Sequence, residues 1–266
     1  MREVVTKLSN RVHIKLSRAL NFSSYKMSEL ALDIFYIFLS EIKYEDNELK
    51  DFKISIVELE AKIGRKIDRS YFESIENELA NTIIQIDKSH DKLTICSKCE
   101  FNSKDGWIKF EFNEKIKVHI FNIEKNYVSS DIRNLFMIKG AYSKRLYLLL
   151  KQNKDMSHKL NISLSELRCL LGIGPGKYKL YSDFKRRVIT HSESQFKNTD
   201  LNFSLEEIKT RRKVTDFVFR IKSLKNKLES NSKKLMSSID VLNQWAENSI
   251  ANNSEYFDVD VDVTNY

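Results

Sequence analysis

Ser55-Ile56-Val57-Glu58-Leu59-Glu60-Ala61-Lys62-Ile63-Gly64 and, 108 residues later, Ser163-Leu164-Ser165-Glu166-Leu167-Arg168-Cys169-Leu170-Leu171-Gly172 are two versions of one phrase. They agree at the Ser, at the Glu three residues on, at the Leu that follows and at the closing Gly, with Ile or Leu at two further positions. Ser-x-x-Glu is a capping box, in which two side chains satisfy backbone N–H groups that a helix start leaves unpaired. Gly takes the left-handed conformation that stops a helix. After each Gly come a basic turn and a second amphipathic helix, expected over 69–81 in the first copy and 181–198 in the second. Apolar alternation then follows: Ile84 and Ile86, Leu93 and Ile95, and Ile108, Phe110 and Phe112 after the first, and Leu201, Phe203 and Leu205, then Phe217, Phe219 and Ile221 after the second. A period of two means strands. A short helix, a turn, a longer helix and a β-hairpin make a winged helix, and the repeat predicts an α+β chain of two tandem winged-helix domains. The alternative is two unrelated helices that share a capping phrase.

Outward from the phrase, 27–42 reads as a helix capped by Ser28, with Leu30, Ile34, Phe35, Phe38 and Leu39 as its buried stripe. Ser143-Lys144-Arg145-Leu146-Tyr147-Leu148-Leu149-Leu150-Lys151-Gln152 reads as an amphipathic helix that begins the second domain. The expected division is therefore 1–140, a first winged helix for DNA-backbone or dimer contacts; 141–234, a second that is the principal DNA reader; and 235–266, an acidic, flexible tail. No Pro/Gly/Ser-rich linker separates the two domains, so a short or semi-rigid connection is expected.

The 266 residues are 41% hydrophobic, enough to fill cores of this size, and 6 Gly with 1 Pro disfavour enzymes that cradle nucleotides in glycine loops. The net charge is +8, and its placement says more than its size. Residues 177–234 carry a net +9, whereas 235–266 hold six acids and no Lys or Arg. A single stretch that carries more positive charge than the net of the whole chain is the footprint of a phosphate-backbone binder, with a solvated basic face as the bland alternative.

In a helix-turn-helix the second helix enters the major groove. On a wheel of 100° per residue, Tyr181, Phe184, Val188, Ile189, Ser192 and Phe196 face the core, which leaves Arg186, Arg187, Thr190, Ser194 and Lys197 outward. The planar fork of arginine suits guanine O6/N7, so Arg186 and Arg187 are the candidate base readers, although Arg187 could instead pair with Asp183. Lys185 projects with the apolar stripe and reads as a phosphate contact or a snorkelling side chain. Lys177 and Lys179 precede the helix and suit phosphates. The expected wing tip, Lys209-Thr210-Arg211-Arg212-Lys213, gathers four positive charges, which is unfavourable for folding alone and suits a phosphate or minor-groove partner. The first domain is weaker: its longer helix has Asp68, Glu73, Glu76 and Glu78, and only Arg65, Lys66, Arg69 and Ser70 at its start suit DNA.

Other chemistries lack their residues. Cys96-Ser97-Lys98-Cys99 has the spacing of half a zinc site without a second pair, and Cys169 stands alone, so no metal is expected and a reducing compartment suits the chain. The five histidines never form the His-hydrophobe-His pair of a nicking enzyme, and His191 reads as packing or a phosphate donor. Gly172-Ile173-Gly174-Pro175-Gly176 lacks the Lys-Ser/Thr of a phosphate-binding loop. No apolar run long enough for a membrane span or a secretory leader occurs, so a cytoplasmic protein with no membrane partner, no cofactor and no enzymatic activity is expected.

At Ser9-Asn10, Ser143 to Gln152, Phe184-Lys185-Arg186-Arg187-Val188 and Thr210-Arg211-Arg212-Lys213-Val214-Thr215-Asp216-Phe217-Val218-Phe219 the chain resembles the iteron-binding plasmid replication initiator (Rep) proteins. The resemblance runs over about residues 5–222, with one departure, Gln195-Phe196-Lys197 where relatives usually read Glu-Ile-Asn. It implies two winged-helix domains, binding to repeated double-stranded sites at a plasmid origin, and recruitment of host replication proteins in a bacterial cytoplasm. It also implies a homodimer that represses its own promoter. The residues themselves support duplex binding; initiation rests on the resemblance. Two alternatives are a winged-helix transcriptional regulator without a replication role and an interaction protein that binds no DNA.

Overall fold

The computed structural model describes residues 12–42, 51–86, 92–121, 123–154 and 157–224. The expected acidic tail and Ser9-Asn10 lie outside the described residues. Ten strands, nine α-helical segments and two 3-10 turns are described, in two matching halves after a short preface. The preface is β1 (His13–Ser17), α1 (Arg18–Asn21) and α2 (Glu29–Glu41). Ser28 caps α2 through the Ala31 amide, but burial is not confined to one stripe: every residue from Ala31 to Ser40 is buried. A helix that is apolar all round belongs at the centre of a core.

The first half then runs β2 (Phe52–Ser55), α3 (Ile56–Ile63), a 3-10 turn (Arg69–Tyr71), α4 (Phe72–Asn81), a hairpin of β3 (Ile83–Gln85) and β4 (Lys92–Thr94), and the wing strands β5 (Cys96–Asn102) and β6 (Trp107–Phe112). β7 (Tyr127–Asp131) returns to pair with β1, and α5 (Ile132–Met137) leads to α6 (Ala141–Lys154). The second half repeats the plan: β8 (Lys159–Ser163), α7 (Leu164–Leu170), the helical stretch 181–196, and the wing strands β9 (Leu201–Thr210) and β10 (Lys213–Ser223). The two three-stranded antiparallel sheets have the same order, β2-β6-β5 and β8-β10-β9, so the wing's second strand sits between its first strand and the strand that opens the phrase. Two winged helices are thus built on one topology.

Local chemistry explains the match. Ser55 Oγ accepts the Val57 amide and Ser163 Oγ accepts the Glu166 amide, each capping its short helix. Gly64 and Gly172 both close with positive φ, at 75° and 65°. They differ in surroundings: a Cβ on Gly64 would meet nothing within 4 Å, whereas one on Gly172 would lie 2.5 Å from the Tyr25 carbonyl oxygen. The second glycine is therefore also a contact between the halves.

α6 is the joint. Sequence patterning makes it amphipathic, yet Ser143 to Leu150 are all buried, because α6 packs against β7 and α1 on one side and β8, β10 and the helix 181–196 on the other. Its polar residues are consumed there. Lys144 forms a buried ion pair with Asp33, and Arg145 donates to the carbonyls of Ser23 (2.7 Å) and Leu170 (3.1 Å) with its guanidinium 3.6 Å from the Tyr25 ring centre. Tyr147 donates to Asp200, Lys151 pairs with Asp200, and Gln152 accepts from Asn21. One apolar cluster runs through both halves.

Candidate nucleic-acid interface

The second helix of the second half comprises α8 (Tyr181–Phe184), a π-helical stretch (Lys185–Thr190) and α9 (His191–Phe196), continuous in backbone conformation. Phe184, Val188, Ile189, Ser192 and Phe196 are buried, and Tyr181 is half-buried, stacking with Phe184 on Phe217 of β10. That anchoring turns Lys185, Arg186, Arg187, Thr190, Ser194 and Lys197 to the surface. Gln195-Phe196-Lys197 ends the helix: Phe196 is in the core, and Thr199 follows, buried, with its hydroxyl bonded to the Phe196 and Leu201 carbonyls.

Charge partners divide the outward set. Asp183 pairs with Arg186 at 2.8 Å, three residues on, rather than with Arg187 four residues on. Residues three and four on are both neighbours on a helix face, and here the one three residues on takes the carboxylate. Arg187 has no hydrogen bond or ion pair among the described residues. Lys185 pairs with Glu207 on β9 at 2.7 Å, so its charge already has a protein partner, and Lys185 with the Tyr181 hydroxyl holds Glu207 below the usual carboxylate range although burial opposes it. Ser194 Oγ donates to the His191 carbonyl, and Lys179 and Lys197 are exposed.

The wing is a two-residue hairpin. Lys213 pairs with Thr210 across the turn Arg211–Arg212, and Arg211 stands at φ 58°. Lys209, Arg211, Arg212 and Lys213 are all exposed and form no ion pair among the described residues. A bulky residue at positive φ in a tip of like charges is conformationally unfavourable, and such strain clusters where function requires it.

The first half has a different balance. Arg65 is drawn to Asp33 (3.3 Å) and Glu29 (3.8 Å), Lys66 to Glu60 (3.0 Å), and the Ser70 amide donates to Asp68. Arg69 is exposed. Two of the acids that seemed to bar DNA are structural: Glu78 accepts from the Ser28 amide and hydroxyl, and Glu76 accepts from the Phe101 amide. Cys96 and Cys99 are buried along β5, and burial pushes the Cys96 thiol up to about 12 and Cys99 higher still. Among the described residues no group of three His, Cys, Asp or Glu could hold a metal ion, and no helix is long and apolar enough to cross a membrane.

Sequence reasoning missed one feature. Where the start of α6 approaches the helix 181–196, an open cleft of about 510 Å³ is lined by Tyr142, Tyr178, Arg187 and His191, among others. The Lys177 ammonium lies 5.1 Å from the Tyr142 ring centre and 5.3 Å from that of Tyr178, and the Tyr142 hydroxyl raises its pKa above the ordinary lysine value. Nothing in local periodicity joins Tyr142 to Tyr178; only tertiary packing does.

Comparison with known proteins bears on both halves of the chain. Residues 13–151 match the family model described as "Initiator Replication protein, WH1", and residues 163–221 match the one described as "Initiator Rep protein, WH2". The first match includes most of α6, the helix that sequence patterning assigns to the second domain. Among solved structures, a crystal structure of Pi initiator protein in complex with iteron DNA is similar at a TM-score of 0.64 and 18% identity, covering 82% of this chain and 100% of that one. That likeness is one of fold. No curated protein matches the sequence.

Proposed function

The chain belongs to the initiator replication protein family, and from that premise we propose that it binds repeated double-stranded DNA sites at a replication origin. Its second winged helix is the principal reader. The observation that carries this reading is an outward surface of cations that form no ion pair among the described residues: Lys179, Arg187 and Lys197 on and before the helix 181–196, and Lys209, Arg211, Arg212 and Lys213 on the wing. A fold gains nothing from such a surface, whereas a duplex supplies the missing anions and releases its counterions.

Arg186 reads a base edge. Asp183 holds its guanidinium by one Nη2–H, leaving the remaining donors for the two acceptors of a guanine. The wing grips the flanking backbone, and the first half adds contacts from Arg69. The chain works by binding and deforming duplex DNA, with host replication proteins performing the chemistry; a homodimer form represses the promoter of its own gene.

A footprint of the purified chain on the non-coding DNA flanking its gene, with competitor DNA and at two salt concentrations, tests this. Regularly spaced protected repeats are expected, weakening as salt rises. A single operator-like site would favour a transcriptional regulator instead, and absence of salt-sensitive protection would leave only the fold.

A further inference from the structure

The cleft at the start of α6 is braced by hydrogen bonds on both sides of it. Gly140, at φ 93°, brings the loop so close to the helix 181–196 that a Cβ there would lie 3.2 Å from His191 Nε2. That Nε2–H donates to the Lys139 carbonyl at 3.1 Å, the Lys139 amide donates to Gln195 Oε1 at 3.0 Å, and Ser192 Oγ donates to Ser143 Oγ at 2.9 Å. The Gly140 amide is held on the other side by Glu29, whose carboxylate is also shared with Arg65. One wall is therefore the start of α6 and the other the helix 181–196, pinned together by one hydrogen bond at Ser143 of α6 and two at Lys139 just before it.

The lining is cationic and aromatic. Arg187 lines the cleft with no ion pair among the described residues, Arg186 lines it while paired to Asp183, and Lys177, beside the lining rather than in it, leans over both tyrosine rings, which stand edge to face at 6.3 Å. Tyr142 and Tyr178 each add a hydroxyl donor to what Arg187 and Lys177 offer. The first turn of α6 adds the positive end of a helix dipole. Donors and positive charge converge on one water-accessible space that lies beside the base-reading face.

We propose that this cleft seats one phosphate of the DNA backbone, with Arg187 and Lys177 as its charged ligands and Tyr142 and Tyr178 as its hydroxyl ligands. This rests on the reading of the chain as a duplex binder and adds to it a division of labour: Arg186 reads the base, and the adjacent Arg187 holds the backbone. It also draws Tyr142, on the helix that joins the halves, into the contact, so the DNA bears on both family domains at one point. The shared chemistry is a phosphate oxyanion, which a free nucleotide or inorganic phosphate would also provide.

The test is a set of origin-repeat duplexes, each with a single neutral methylphosphonate at one backbone position, titrated with the full chain and with Arg187→Gln, Lys177→Gln and Tyr142→Phe. At one position the substitution is expected to weaken the wild type about tenfold, as for a lost charge-assisted hydrogen bond, and to weaken Arg187→Gln and Lys177→Gln by only about threefold, because each keeps one of the two charged ligands. Tyr142→Phe, which keeps the ring and loses the hydroxyl, is expected to weaken binding about threefold with a partial cancellation at that same position. Penalties that add at every position, with duplex binding intact, would overturn the seat and leave the proposed function standing. Absence of salt-dependent binding to any duplex would overturn both. If inorganic phosphate or ATP at matched ionic strength displaced duplex from the wild type but not from Arg187→Gln, the cleft would belong to a free phosphate ligand, and the backbone assignment would fall.

Discussion

Replacing Gly172 by Ala perturbs the place where the second copy of the repeated phrase touches the first half, and Gly64→Ala provides a matched control. Both glycines sit at positive φ, 65° and 75°. Placing an L residue in the left-handed region costs roughly 1–2 kcal/mol, and the stiffer unfolded chain returns about 0.4–1 kcal/mol of that. Gly64→Ala, with nothing within 4 Å of the new Cβ, is therefore expected to cost about 1 kcal/mol in total. Gly172→Ala adds a collision. Its Cβ would stand 2.5 Å from the Tyr25 carbonyl oxygen, roughly 0.9 Å short of ordinary contact, and 2.9 Å from Lys26 Cβ. The segment it meets is not free to retreat. The Ser23 carbonyl accepts from Arg145, Ser24 bonds the Cys169 carbonyl through its hydroxyl and bridges to Gln85, and the Tyr25 ring lies against the Arg145 guanidinium. Overpacking of this kind costs about 1–3 kcal/mol, so Gly172→Ala should lose about 3 kcal/mol. Urea unfolding of both variants measures it, as a fall in midpoint at unchanged slope. Equal losses in the two variants would refute the claim that the halves are fixed against each other at Gly172.

Three further outcomes follow from the same contacts. Arg186→Ala should weaken specific binding by about 1–3 kcal/mol more than nonspecific binding, whereas Arg212→Gln should weaken all duplexes alike and lower the salt slope by about one, as read by titration against repeat and random duplexes at several salt concentrations. Arg211→Gly should raise unfolding stability by up to about 1 kcal/mol by relieving the positive φ while weakening DNA binding, a trade that Arg211→Gln, which keeps the strain, should not make. Burial pushes the Asp33 carboxyl up from 3.8 to about 6 against the pull of Lys144 and Arg65, with Glu29 adding to the rise, so between these values the fold holds a proton that the unfolded chain has released. The stability of the wild type relative to Asp33→Asn should accordingly fall by up to about 3 kcal/mol as pH rises from 4 to 6.5 in urea titrations, and a flat difference would contradict it.

The capping serines, the closing glycines and the alternating wings were legible because each is a local pattern whose physics needs only a few neighbours. Phe184, Val188 and Phe196 were assignable to the core for the same reason. What could not be read required knowing what lies across a gap in sequence. The strands β2 and β8 do alternate, but four or five residues of alternation do not say which strand each will pair with. α6 looks amphipathic because Lys144 and Arg145 are charged, and only their partners Asp33, Ser23 and Leu170, each at least 25 residues away, show that those charges are buried. An ideal helical wheel leaves Arg187 free either to read a base or to pair with Asp183, and only the folded helix shows that Arg186 takes that carboxylate.

The asymmetry between the halves follows from where each spends its charges. In the first half the cations nearest the turn are neutralised before DNA arrives: Arg65 by Asp33 and Glu29, Lys66 by Glu60. Its acids are likewise occupied, Glu76 and Glu78 accepting from backbone amides, so α4 serves the packing of α2 and β5 rather than a groove. In the second half the corresponding helix pairs off Lys185 and Arg186, and among the described residues it leaves Arg187 and Lys197 without an ion pair and the wing tip leaves four more cations so. Screening and counterion release act on unpaired charge, so the second half must supply most of the salt dependence. The Asp33 pair sets a limit on how far the first half can contribute: recruiting Arg65 to a phosphate would remove one of the two cations that hold the buried Asp33 ionised, at the contact that joins α2 to α6. Backbone binding by the first half and integrity of the joint therefore compete for the same guanidinium, and a duplex that engages Arg65 must shift Asp33 further toward its protonated form.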